Sequence, residues 1–350
     1  MNRNKAFDIL RIIAAVSVVM LHTSGMFMDR IGVMESGFAV GLFMNSISRF
    51  GVPIFVMISG ALFLDKERET DVKKLWTRNI LRVLVAFILW GYAYYAYNSI
   101  FVWDFDFLRQ GLARTVKGIV YGSNHLWFLY MIAGLYAITP ILSDWIKHTQ
   151  EKVIRYLLSI YFVFQILRVT VNLLMNNYLV NELAAITAID GLTGYIGYYV
   201  LGYYLKNYSL KKWMRNVIYA TVPVGIAVNF TVALLFSRRD LGFNAGIYDS
   251  FGLFTYLQVI ALFYFVLHAV NEEKPEKKLR GNLSKDTFGL YLMHPMVLAV
   301  LDRQGFFESF LANPLMVVCG IVTLVLLVSV ICVPIAAILR RIPFVGRYIC

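Results

Sequence analysis

Residues 7–28 read FDILRIIAAVSVVMLHTSGMFM. The stretch is long enough to cross a bilayer as a single helix. It nevertheless carries Asp8, Arg11 and His22. An ionisable group inside a spanning helix is costly, so it normally faces a partner, a water-filled cavity or a substrate path. At about 100° per residue, the step from Arg11 to His22 returns to within roughly 20° of the same face, about 16 Å further along the axis. One polar stripe with a cation near one membrane face and an imidazole deep inside predicts a lined passage.

The rest of the chain is of the same kind. Of its 350 residues, 59% are hydrophobic and 15% charged, and its mean hydropathy is positive. That composition belongs to an integral membrane protein, not to a soluble enzyme with one anchor. Apolar runs of this length must be helices, because unpaired backbone groups are expensive in lipid. The net charge of +12 does not make this a nucleic-acid binder, because the basic residues sit in short loops between apolar spans. Cys319, Cys332 and Cys350 show no metal or disulfide spacing and read as small apolar fillers; no metal is expected. The first apolar run is too long for a cleavable signal peptide, carries Arg11 and lacks a small-residue cleavage site.

Hydropathy predicts an all-α membrane protein of about ten spans, at 7–28, 38–64, 79–101, 125–145, 153–174, 188–205, 216–236, 251–270, 286–302 and 314–339. Arg168, Asn172, Asn176 and Asn177 make the join between the fifth and sixth ragged. Placing the N-terminus inside puts 23 of the 33 Lys and Arg on the inner side and seven outside. That bias predicts cytoplasmic N- and C-termini. Trp76, Trp103, Trp127, Trp145 and Trp213 fall near predicted span ends, as in an aromatic belt. Residues 1–345 read as a single membrane domain, 271–285 as a charged cytoplasmic linker, and no separate soluble domain or transporter-like repeat is evident.

Asp8 and Arg11 are spaced i, i+3 and can pair near the inner surface. Arg11 is then either a snorkelling cation neutralised by its neighbour or a ligand. His22 lies too deep for an interfacial role. Its ordinary pKa near 6.5 suits a general base, with helix packing as the alternative. The second span contributes Arg49, Pro53, Ser59 and Gly60. Pro53 frees a backbone carbonyl and can kink the helix, while Ser59 and Gly60 allow close helix approach. Arg78 and Arg82 are i, i+4 on one face of the third span, with Lys73 and Lys74 just before. They fit phosphate binding and equally the ordinary positive-inside signal.

These residues carry a resemblance. Arg11, ten intervening residues and His22 resemble the signature of the membrane-bound acyltransferase-3 family. Arg49 to Gly60 (RFGVPIFVMISG) resembles its second motif. Arg78 and Arg82 in WTRNILRVL resemble the arginine pair that opens its third span. SNHLWFL (123–129), continued by Tyr136 and Pro140, GYYVLGYYL (197–205) and SKDTFGLYLMHP (284–295) resemble its later elements. Each motif is short, but in this order on a ten-span frame the set is specific and covers nearly the whole chain.

The resemblance implies a stand-alone enzyme of the bacterial cytoplasmic membrane. It would move an acyl group, acetyl by default, from cytoplasmic acyl-coenzyme A to a hydroxyl of an extracytoplasmic glycan or glycolipid. Acetyl-CoA is then a co-substrate, and the partners are lipid, donor and glycan. On that reading Arg11, Lys74, Arg78 and Arg82 grip the donor's phosphates. The pantetheine arm threads up the stripe of the first span, and His22, backed by Arg11 and Asp8, takes the hydroxyl proton. Arg49, Ser59, Tyr291 or His294 could serve the oxyanion, and His125 and Trp127 the sugar. Direct transfer and an acyl-histidine both remain open. His148 and His268, near cytoplasmic ends, read as structural. The competing reading is a multi-span transporter or flippase for a lipid-linked sugar or small solute, which buried charges would also suit. The transferase reading alone explains a basic pair and an intramembrane histidine on one track.

Overall fold

The computed structural model describes residues 5–67, 69–102, 111–121, 123–175, 194–244, 249–270, 283–343 and 346–349. Among these residues every regular element is helical. In chain order they are α1 (Lys5–Met28), α2 (Ser36–Ile47), α3 (Gly51–Phe63), α4 (Val72–Phe101), α5 (Leu112–Tyr121), α6 (Asn124–His148), α7 (Glu151–Leu174), α8 (Tyr195–Asn207), α9 (Lys212–Arg239), α10 (Leu253–Ala269), α11 (Leu283–Arg303), α12 (Pro314–Leu339) and the short α13 (Gly346–Ile349).

Seven segments are long and apolar enough to cross a membrane: α1, α2 with α3, α4, α6, α7, α9 and α12. The other three expected spans coincide with α8, α10 and α11. Residues 188–193, the start of the sixth expected span, lie outside the described residues, as do Trp103, Asn176, Asn177 and most of the 271–285 linker. α10 is apolar but has 17 residues. α11 has 21 residues but buries Ser284, Asp286, Thr287, Tyr291 and His294. In α8 every residue from Gly197 to Leu205 is buried. A helix enclosed by its neighbours has no need of an apolar surface toward lipid, so such helices escape a hydropathy criterion.

The second expected span is two helices, not one kinked one. In a continuous helix the Pro53 ring would clash with the Arg49 carbonyl, four residues back. The chain instead breaks at Ser48–Phe50, and Pro53 falls in the first turn of α3, where its missing N–H is harmless. Ser48 closes α2, with its amide and hydroxyl both donating to the Asn45 carbonyl. Arg49 is therefore left at the break.

α3 and α8 cross at very short range. A Cβ on Gly60 would stand 1.8 Å from the Tyr199 carbonyl oxygen, and one on Gly202 2.0 Å from that of Met57. Small residues at a membrane-helix crossing let the backbones touch, as the sequence suggested for Gly60. α5 was not anticipated. It packs back along α4, with Gly118 against the Tyr95 ring and Gly91 against the Ile119 carbonyl.

Polar contacts knit each end of the bundle. At the end bearing Lys5, Lys66 donates to the Thr149 carbonyl at 3.1 Å and Lys206 pairs with Asp65 at 2.7 Å. At the other end Arg30 pairs with Asp302, and Arg303 donates to the Phe101 carbonyl. The described loops around Lys66, Thr149 and Lys206 thus gather at one pole, called the basic end below.

Candidate functional site

A cavity of about 620 Å³ opens among α1, α3, α4, α6, α11 and the end of α12. Toward the basic end it is lined by Arg11, Arg82, Lys285 and Arg340, with Asp8 the one acidic residue in its wall among the described residues. Deeper in, Phe55, Phe128 and Tyr291 line it, and Ser59 and Tyr136 face each other at 3.5 Å between their hydroxyls. Four cations over an apolar, aromatic throat suit an elongated ligand with an anionic head.

The Asp8–Arg11 pair forms as expected, with Arg11 Nη1 3.0 Å from Asp8 Oδ1. The same carboxylate oxygen accepts from the Ser284 hydroxyl at 2.7 Å. Asp8 is buried, so this shared oxygen ties α1 to α11 and aims Arg11 into the cavity. Arg82 lies over the Phe288 ring at 5.1 Å, a cation–π placement on the opposite wall. Arg340 pairs with the buried Asp286 at 3.2 Å. Arg78 and Lys74 are exposed and outside the cavity wall. A π-helical segment, Leu75–Ile80, precedes Arg82, so the straight i, i+4 relation assumed for the two arginines does not hold there. Lys285 and Arg340 were missed because basic residues beside a span look like topology signals.

The stripe of α1 between Arg11 and His22 is not the passage. Ala15 and Val18 on that stripe are packed, at 1% and 4% exposure, because small side chains let the neighbouring helices close over them. The open space climbs along α3, α6 and α11 and ends at Tyr291.

Beyond Tyr291 lies a cluster of three histidines. The Tyr291 hydroxyl donates to the His125 carbonyl oxygen. The His125 and His294 rings are 5.5 Å apart, and those of His294 and His22 4.9 Å. His22 Nδ1 lies 3.3 Å from His294 Nε2 and 2.9 Å from the Val18 carbonyl oxygen. His294 is fully buried, His22 only partly. Residues far apart in sequence meet here; the motifs carrying His22, His125 and His294 marked each of them, but not that their rings come together.

Arg49, on the far side of His22 from the cavity, acts on it electrostatically. Its Nε and Nη2 both donate to Asn45 Oδ1, while Asn45 Nδ2 donates to the Leu21 carbonyl at 2.9 Å and to Ser24 Oγ at 3.1 Å. Asn45 thereby fixes Arg49 against the turn of α1 that carries His22. Arg49 also acts on Tyr195, whose ring lies 5.6 Å from that of Trp127. Arg49, Trp127 and Tyr195 are all partly exposed, so they can line a vestibule on the side away from the basic end. His148 is exposed beside Asp144 and His268 stacks on Tyr264; neither joins the cluster. Among the described residues no group of three His, Cys, Asp or Glu is arranged to hold a metal ion.

The acyltransferase domain of the acyltransferase-3 family matches residues 4–333. The chain therefore belongs to that family and is a membrane acyltransferase. No curated protein and no solved structure gives a significant match.

Proposed function

We propose that this protein moves an acyl group, most simply acetyl, from cytoplasmic acyl-coenzyme A to a hydroxyl of an extracytoplasmic glycan or glycolipid, with His22 as general base. The basic end then faces the cytoplasm, both termini lie inside, residues 1–345 act as one membrane domain, and the setting is a bacterial cytoplasmic membrane. One observation carries this reading: a cation-rimmed cavity and a partly exposed imidazole sit on opposite sides of Tyr291 in the same helix bundle.

Arg11, Arg82, Lys285 and Arg340 would hold the donor's phosphates, as guanidinium forks and ammonium groups do well. The throat of Phe55, Phe128 and Tyr291 would take the thin pantetheine arm. A turn of the Tyr291 ring would admit the thioester to the histidines. The acceptor would enter past Arg49, Trp127 and Tyr195. As its oxygen attacks the thioester carbonyl, His22 Nε2 takes the hydroxyl proton. The tetrahedral oxyanion collapses, the carbon–sulfur bond breaks, and the departing thiolate takes that proton from the imidazolium. The products are an ester and coenzyme A thiol. Arg49 would stabilise the oxyanion.

The test is to incubate the purified protein with radiolabelled acetyl-CoA and a surface-glycan extract. Label appearing on glycan supports the reading. Movement of solute without label transfer would instead establish a transporter.

A further inference from the structure

Pro295 has no N–H, so the Tyr291 carbonyl four residues earlier loses its usual helical donor. His294 Nδ1 stands 2.7 Å from that oxygen. A carbonyl can only accept, so Nδ1 carries the hydrogen and, on the neutral ring, Nε2 carries the lone pair. The same logic applies to His22, whose Nδ1 lies 2.9 Å from the Val18 carbonyl and must also be the protonated nitrogen. The 3.3 Å contact between the rings then has one direction: His22 Nδ1–H donates to His294 Nε2. What remains on His22 is a lone pair at Nε2.

The hydrogen-bond ladder next to Pro295 is held open by another side chain. The Tyr94 hydroxyl donates to the Leu292 carbonyl at 2.8 Å and accepts from the Met296 amide at 3.2 Å. Those two backbone groups would bond each other in an unbroken helix. Tyr94 is thus inserted into the ladder of α11, a recognised cause of helix bending. It fixes the turn that carries His294.

We infer that His294 is a positioning residue for His22, and Tyr94 the support that sets its angle. The inference rests on His22 being the base. His294 locks His22 in the Nδ1–H tautomer and stabilises the imidazolium formed when Nε2 takes a proton, the part a carboxylate plays in a Ser-His-Asp site. A neutral imidazole does this without placing a bare anion in the membrane interior. No proton moves to His294. The oxyanion role that the sequence suggested for His294 is replaced by this one.

The experiment uses purified protein in vesicles, with radiolabelled acetyl-CoA and a surface-glycan extract. His294→Leu should lower kcat on the order of 10²-fold or more, with KM for both substrates changed less than about two-fold, since uniform binding is untouched. His294→Asn, which keeps an acceptor, should recover about ten-fold of that loss, and Tyr94→Phe should lower kcat about ten-fold. An unchanged kcat in His294→Leu, or a raised acceptor KM with normal kcat, overturns the assignment. If His294→Leu does not fold, ¹⁵N-histidine NMR of the unaltered protein decides. With the His22 signal identified by its loss in His22→Gln, an Nδ1–H ring supports the assignment and an Nε2–H ring overturns it. Absence of label transfer by the unaltered protein would instead overturn the acyl-transfer reading, while the NMR result would still judge the hydrogen-bond arrangement.

Discussion

His22 Nδ1 lies 3.3 Å from His294 Nε2, although 272 positions separate the two residues. α1 and α11 are held in that register by a second link near the basic end, where the Ser284 hydroxyl donates to Asp8. The two contacts clamp the helices at both ends of the interval between the cavity and the imidazole.

Removing the base should stop chemistry without unfolding the protein. His22→Ala is expected to reduce acyl transfer about 10²–10⁴-fold, the range for a general base. Membrane insertion and coenzyme A binding should be unaffected, because His22 does not line the cavity. Transfer at the native rate by the purified variant would remove His22 from the mechanism.

The cations in the cavity wall should matter more than their neighbours outside it. Arg11→Ala and Arg82→Ala should each weaken coenzyme A binding by about 10- to 100-fold, since a hydrogen bond to a charged group contributes about 1.5–3 kcal/mol. Arg78→Ala and Lys74→Ala, whose side chains are exposed, should weaken it far less. Calorimetric titration with coenzyme A makes the comparison. Equal losses in all four variants would place the phosphates at the surface instead of in the cavity.

The α3–α8 crossing should tolerate no added methyl group. In Gly60→Ala the new Cβ would overlap the Tyr199 carbonyl. The helices must separate, at a cost of about 1–3 kcal/mol or more. Gly134 in α6 has nothing within 4 Å of its Cβ position, so Gly134→Ala should hold or raise the melting temperature. Thermal unfolding in detergent compares the two, and equal melting temperatures would contradict the crossing.

Much of this arrangement could be read from the chain. Apolar runs located the long helices, the Asp8–Arg11 spacing gave their ion pair, and Gly60 marked a close crossing. What escaped was physical in origin. Pro53 acts on the carbonyl of Arg49, which turned an expected kink into a break three residues before it. Arg340 and Lys285 reach the cavity from helix ends where basic residues usually record only membrane sidedness. Tyr94 and Asn45 have no recognisable motif, because their roles depend on carbonyls that other helices present. The packed stripe of Ala15 and Val18 shows that two polar residues on one helix face need not share a passage.

Sided transfer is the most direct test of the central claim, that a cytoplasmic donor and an external acceptor meet at His22. The protein is reconstituted in vesicles with the basic end outward, and the glycan extract is sealed inside. Radiolabelled acetyl-CoA is then added to the outer solution. The account predicts label on the enclosed glycan and none in vesicles carrying His22→Ala. Label that reaches glycan only when donor and acceptor share one compartment would contradict it.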